Sequence, residues 1–64
     1  MLERLKAGAQ DSEVDCPDGE EIFILSGDLG DEQGIYHAGT RIRNPAGFRR
    51  GLKSNGGATY WANQ

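Results

Sequence analysis

Gly19-Glu20-Glu21-Ile22-Phe23-Ile24-Leu25-Ser26-Gly27-Asp28 is the stretch that decides the fold of this chain. Its centre is rich in β-branched and aromatic residues, and turn formers bracket it: Asp18-Gly19 ahead and Ser26-Gly27 behind. That pattern predicts a strand from Glu20 to Leu25. Successive side chains of a strand point to opposite faces, so Glu20, Ile22 and Ile24 share one side and Glu21, Phe23 and Leu25 the other. Both sides are apolar beyond the first residue, and such a strand needs cover on both.

Working outward, Asp31-Glu32-Gln33-Gly34 reads as a hairpin turn, with Gly34 free to take positive φ. Ile35-Tyr36 is a short strand and Ala38-Gly39 a second turn. Thr40-Arg41-Ile42-Arg43 alternates as a half-exposed strand does. Asn44-Pro45-Ala46-Gly47 is a turn with proline presetting φ. Asn55-Gly56-Gly57 turns the chain into a last strand, Ala58 to Ala62. Towards the N-terminus, Leu2, Leu5 and Ala9 outline one face of a helix, but Gly8 interrupts it and no cap precedes it. Turns at this spacing predict one all-β domain over residues 1–64, a small sandwich or barrel.

The chain has 64 residues and 7.0 kDa, with ten glycines, about twice the usual share. A domain of this size hides only about 60% of the surface its unfolded chain exposes. It lacks the material to cover both faces of the central strand, so a second copy packing on Phe23 and Leu25 is the economical cover, and a homodimer is expected. The alternative cover is the N-terminal segment around Leu2 and Leu5. Mean hydropathy is −0.66 and the longest apolar run is Ile22 to Leu25, so no membrane association is expected. No apolar leader follows Met1, which points to the cytoplasm. Cys16, the single cysteine, excludes an internal disulfide and a cysteine-built zinc site.

Net charge is −3, which argues against nucleic acid as a partner. Nine of the ten acids lie between Asp11 and Glu32 with no base among them, and five of the seven bases lie between Arg41 and Lys53 with no acid. Either these halves face one another in the fold, or they form opposed surfaces with a basic patch for an anionic ligand.

Three motifs, taken together and in order, resemble the cupin superfamily, in particular the cupin domain of the ChrR type, named for a zinc-dependent anti-sigma factor. They are Gly19-Glu20-Glu21-Ile22, then Gly34-Ile35-Tyr36-His37-Ala38-Gly39-Thr40, then Asn44-Pro45-Ala46-Gly47. Gly57-Ala58-Thr59-Tyr60-Trp61 is similar to the family's closing strand, so the resemblance runs from about Ala7 to Trp61. It implies a double-stranded β-helix, a small antiparallel barrel of jelly-roll type. It also implies a divalent-metal site of two histidines, a glutamate and a later histidine. Those positions fall here on Val14, Cys16, Glu20 and Arg50. Only Glu20 is kept. Val14 has no donor atom, and the Arg50 guanidinium stays charged where a metal would sit. A degenerate site without metal or other cofactor is therefore expected, with Val14, Cys16, Glu20 and Arg50 lining the ligand pocket.

Burying Glu20 or Arg50 alone is costly, whereas a pair of them is charge-assisted, so Arg50 is expected to take the metal's place as counter-charge. A one-residue shift after Gly47 would instead fill the cavity with Phe48 and leave Arg49 and Arg50 in solvent. His37 is expected in a solvated turn, and Cys16 as a small semi-buried side chain with no base to activate it. Tyr36, Tyr60 and Trp61 are expected in the core. The acids Asp11, Glu13, Asp15 and Asp18 lack the spacing of a calcium loop. Three functions stay open: a non-catalytic, metal-free binding or sensory module holding a small polar or anionic ligand at the barrel mouth; a metal-dependent enzyme or metal sensor built on Glu20 and Cys16; and a ligand-free interaction domain.

Overall fold

The computed structural model describes residues 1–63, all of them strand, turn or irregular, with no helix. Hence no helix of the described residues is long and apolar enough to cross a membrane. Seven strands follow in order: β1 (Leu2–Leu5), β2 (Val14–Cys16), β3 (Glu20–Asp31), β4 (Gly34–His37), β5 (Arg41–Asn44), β6 (Phe48–Arg50) and β7 (Ala58–Asn63).

One antiparallel ribbon accounts for most of the pairing. The chain folds back at Glu32-Gln33, and positions equidistant from that turn face each other along its whole length. Asp31 lies opposite Gly34, Phe23 opposite Arg41, Glu20 opposite Asn44, Val14 opposite Arg50, Gln10 opposite Lys53 and Leu2 opposite Trp61. The turn is held by Asp31, whose Oδ1 accepts the backbone N–H of Gln33 at 2.8 Å and of Gly34 at 3.2 Å. The ribbon then coils on itself, and β3 pairs along its other edge with β7, Ile22 opposite Ala62 and Ile24 opposite Tyr60. The larger sheet thus runs β1-β7-β3 and continues into β5 and β4 on the far edge of β3, while β2 and β6 form a separate two-stranded sheet. The fold is all-β and antiparallel, as the turn spacing predicts, and its winding is of the jelly-roll type that the resemblance implies.

The central strand is twice as long as expected. Ser26-Gly27 is not a turn: β3 continues through it to Asp31, and the pairing with β7 slips by one residue between Ile24 and Ser26. The extra residue is a β-bulge, and it exchanges the faces of everything beyond it. Glu20, Ile22 and Ile24 face inward before the bulge, and Leu29 after it. Inward-facing side chains of both halves then share one core of Ile22, Ile24, Leu29, Leu52, Ala58, Tyr60 and Ala62, with Leu5, Tyr36 and Ile42 packed against it. Gly27, just beyond the bulge and opposite Ala58, has φ 79° and is pressed against the Gly57 backbone. Opposite it, the Asp28 carboxylate accepts the N–H groups of Asn55 at 3.1 Å and Gly56 at 3.0 Å, which hold it below the usual carboxylate range.

The N-terminus forms a strand and no helix. Leu2 and Leu5 therefore fall on opposite faces: Leu5 reaches the core while Leu2 stays outside beside Trp61. The N-terminal segment does not cover Leu25, which is 49% exposed. Trp61 was expected inside with Tyr60, yet alternation along β7 puts only Tyr60 there and leaves Trp61 50% exposed.

A Cβ at Gly27 would lie 1.9 Å from the Gly57 carbonyl oxygen, whereas at Gly8, also at positive φ, it meets nothing within 4 Å. Gly8→Ala is expected to cost about 1 kcal/mol of left-handed backbone strain. Gly27→Ala adds a backbone collision and should cost at least about 3 kcal/mol, both read from urea unfolding midpoints.

Candidate functional site

Sequence alternation in the β2–β6 ladder builds the site. Val14 lies opposite Arg50, Asp15 opposite Arg49 and Cys16 opposite Phe48. Odd and even positions go to different faces, so Asp15 and Arg49 meet on the outside and Cys16 and Arg50 are buried within. The outer pair is a cross-strand salt bridge of 2.8 Å, exposed on both sides. Hydrogen bonding to Arg49 holds the Asp15 carboxyl below its ordinary value, and the same bond raises Arg49.

Arg50 is the centre of the inner cluster. Its side chain is 5% exposed, and each of its three nitrogens faces a carboxylate from a different segment. Nε donates to Glu20 Oε1, whose side chain is fully buried. Nη1 lies 3.4 Å from Asp11 Oδ2, and Nη2 lies 4.0 Å from Glu3 Oε2. Burial alone would lower the Arg50 guanidinium, but its bond to Glu20 and that carboxylate's charge carry it above its ordinary value. One cation therefore ties together β6, β3, β1 and the Asp11 segment. The shifted alternative, with Phe48 filling the cavity and both arginines in solvent, does not occur: Phe48 is half-buried and only Arg49 is exposed.

Cys16 and Tyr60 complete the inner surface. Cys16 is 1% exposed, so it is fully and not partly buried, and its thiol lies 3.9 Å from the Val14 carbonyl. Burial pushes the thiol up, Glu20's negative charge adds to that, and Arg50 only partly opposes both. The thiol therefore stays protonated and is a poor nucleophile. Burial likewise pushes the Tyr60 hydroxyl up to about 12, with the charge of Glu3 adding to it.

The structure thus brings Cys16, Glu20 and Arg50 together and sets Val14 beside them in the ladder. Glu3, Asp11 and Tyr60 belong to the same cluster and carry no sequence motif. The donor set does not suit a divalent metal. Val14 offers no donor, the Cys16 thiol is protonated, and the carboxylates converge on a guanidinium that cannot leave. No group of three or more His, Cys, Asp or Glu among the described residues has metal-holding geometry. His37 is exposed on β4.

Two clefts flank the cluster. The larger, about 440 Å³, opens between the hairpin tip and β6, and is lined among others by Gln10, Glu13, Glu32, Arg49, Arg50 and Lys53. A shallower one at the other end runs from Asp18 and Glu20 to Arg43 and Asn44. Compared with known proteins, the chain matches no protein family and no curated sequence.

Arg50→Met leaves Glu20 buried without a counter-charge and should cost about 3–5 kcal/mol in urea unfolding. Adding Glu20→Gln to that variant removes the orphaned charge and should recover most of the loss. A neutral Arg50→Met would show that the pair is solvated. Tyr60 supplies a second test. Its folded-state value lies above the ordinary 10.0, so its contribution is complete below pH 10 and lost as pH rises towards about 12. Alkaline unfolding should begin in that window, with Tyr60→Phe abolishing the late phenolate step in ultraviolet difference titration.

Proposed function

We propose that this chain is a non-catalytic, metal-free binding module of cupin type, taking a small polar or anionic molecule at the mouth of the barrel. The observation that carries this reading is the cleft of about 440 Å³ beside an arginine already neutralised by the protein's own carboxylates. Large side chains fill the interior, which favours a ligand site at this mouth over one in the interior.

The cleft offers chemistry at its rim. Its lining includes the cations Lys53 and Arg49, the carboxylates Glu13 and Glu32, and the amides Gln10 and Gln33. Such a lining suits a compact polar ligand whose anionic group turns towards Lys53 and whose donors turn towards the acids. Arg50 forms part of the floor, but its nitrogens are engaged, so it acts as a fixed dipole and packing surface instead of a free anion hook.

The metal-dependent alternative finds little support in the donor set, and no activated nucleophile favours catalysis. Cys16 is buried with a raised thiol. The ligand-free interaction domain differs from the proposal only in leaving the cleft unused.

The test combines elemental analysis of purified protein with thermal unfolding against inorganic phosphate, succinate and a free amino acid. We expect less than stoichiometric transition metal. At one hundred times its dissociation constant a binder adds about 2.7 kcal/mol, a rise of roughly 10 °C or more in Tm for so small a domain. Lys53→Glu should abolish that rise without changing the unliganded Tm by more than a few degrees. Stoichiometric metal, or a flat response to every probe, overturns the reading.

A further inference from the structure

The outer face of the larger sheet carries a row of apolar side chains in direct cross-strand register. Leu2 on β1 lies opposite Trp61 on β7, which lies opposite Phe23 on β3, which lies opposite Arg41 on β5. Leu25, turned out at the bulge, adjoins the row. Leu2 is 49% exposed, Leu25 49% and Trp61 50%. Between Phe23, Leu25 and Trp61 runs a shallow groove of about 310 Å³, rimmed by Glu21 and Arg41.

We infer that this face is the contact surface for a second copy of the chain, packed sheet against sheet through Leu2, Phe23, Leu25 and Trp61. Three observations favour that occupant. First, the face has an apolar centre and a polar rim of Arg4, Arg41, Arg43 and Glu21, with the tryptophan and arginines that interfaces favour. Second, the two β5 cations of the rim are engaged within the chain. Arg43 bonds Glu21 at 2.8 Å, and the Arg41 guanidinium lies over the Phe23 ring, 5.5 Å from its centroid. Glu21 is held below its ordinary value, chiefly by its bond to Arg43. With Arg41 and Arg43 held against their own sheet, the centre of the face is left to apolar contact.

Third, the available area suits a weak pair. The molecule measures 29 × 20 × 20 Å, so its larger face projects about 600 Å² and a face-to-face pair hides about 1,200 Å² in total, the lower end of specific interfaces. An isologous contact uses every apolar side chain twice, and the exposed Trp61 and Leu25 lie on the same face as the groove that would receive them. In an arrangement with the two-fold axis along the strands, the arginines of β5 lie over the β1 edge of the other copy, so they do not stack on their own equivalents. The state predicted is a dimer that dissociates on dilution in the micromolar range. It is independent of the cleft at the hairpin tip.

Sedimentation equilibrium of the full chain from micromolar to submillimolar concentration tests this, with emission of the single tryptophan recorded on the same samples. The expected result is a mass rising from 7.0 kDa towards twice that value, and Trp61 emission moving to shorter wavelength as the dimer forms. Leu25→Glu and Trp61→Ser, both at half-exposed positions, should weaken association at least 100-fold while leaving the far-ultraviolet spectrum unchanged. A monomer throughout, with concentration-independent emission, overturns the inference. So does a dimer unaffected by either variant, which would place the contact elsewhere. A monomer that binds anionic vesicles or single-stranded DNA through Trp61 likewise overturns it by naming another occupant.

Discussion

The turn at Glu32-Gln33 is the constraint on which the rest of the structure depends. Once the chain reverses there, every residue is assigned a partner at the same distance on the other side, and the ladder follows from Asp31–Gly34 to Leu2–Trp61. In a chain of 64 residues this arrangement makes most contacts long-range, yet each new pair closes only a small loop once its neighbour has formed. The same mirror relation explains the charge distribution. The acids before the turn are brought opposite the bases after it, as in Asp15–Arg49 and Glu21–Arg43. The two halves of the charge pattern face one another and do not form opposed surfaces.

Coiling the ribbon into a barrel requires it to change which side faces inward, and the bulge between Ile24 and Ser26 does this. It lets one strand serve the core with Ile22 and Ile24 in its first half and Leu29 in its second. Just beyond it, Gly27 lets β3 approach the Gly57 backbone, which leaves no room for a side chain. Polar residues hold the coil where apolar ones are too few. Arg50 binds carboxylates from successive turns of the ribbon, Glu20 most closely, so a single buried cation joins segments that the backbone ladders leave unconnected. Such a cluster adds less net stability than an apolar core would, since burying its charges offsets much of their attraction, but removing any one member is expensive.

That accounting bears on function. A guanidinium surrounded by three carboxylates has no unmet demand for an anion, and its carboxylates have none for a metal. The proposed ligand is met outside this cluster, in the cleft lined by Lys53, Arg49, Glu13 and Glu32. The proposed ligand cleft and the proposed contact face on the outer sheet are built from separate residues.

By itself the sequence determined the all-β class, the hairpin at Asp31–Gly34, the turn at Asn44–Gly47 and the closing strand, while the approach of Glu20 to Arg50 was one of two arrangements it left open. The first four rest on local signals, alternation and turn chemistry. Tertiary structure alone decided that Ser26-Gly27 continues a strand, because a bulge and a turn use the same residue types. It alone decided that Leu2–Leu5 and the short strands Val14–Cys16 and Phe48–Arg50 form at all, since segments this short gain their order only from pairing. Glu3, Asp11 and Tyr60 joined Arg50 without any motif to announce them, for coiling sets which turns of the ribbon meet, and no periodicity along the chain records it. Trp61 ended outside for the same reason: alternation separates it from Tyr60, but which of the two faces inward depends on what packs beneath the sheet.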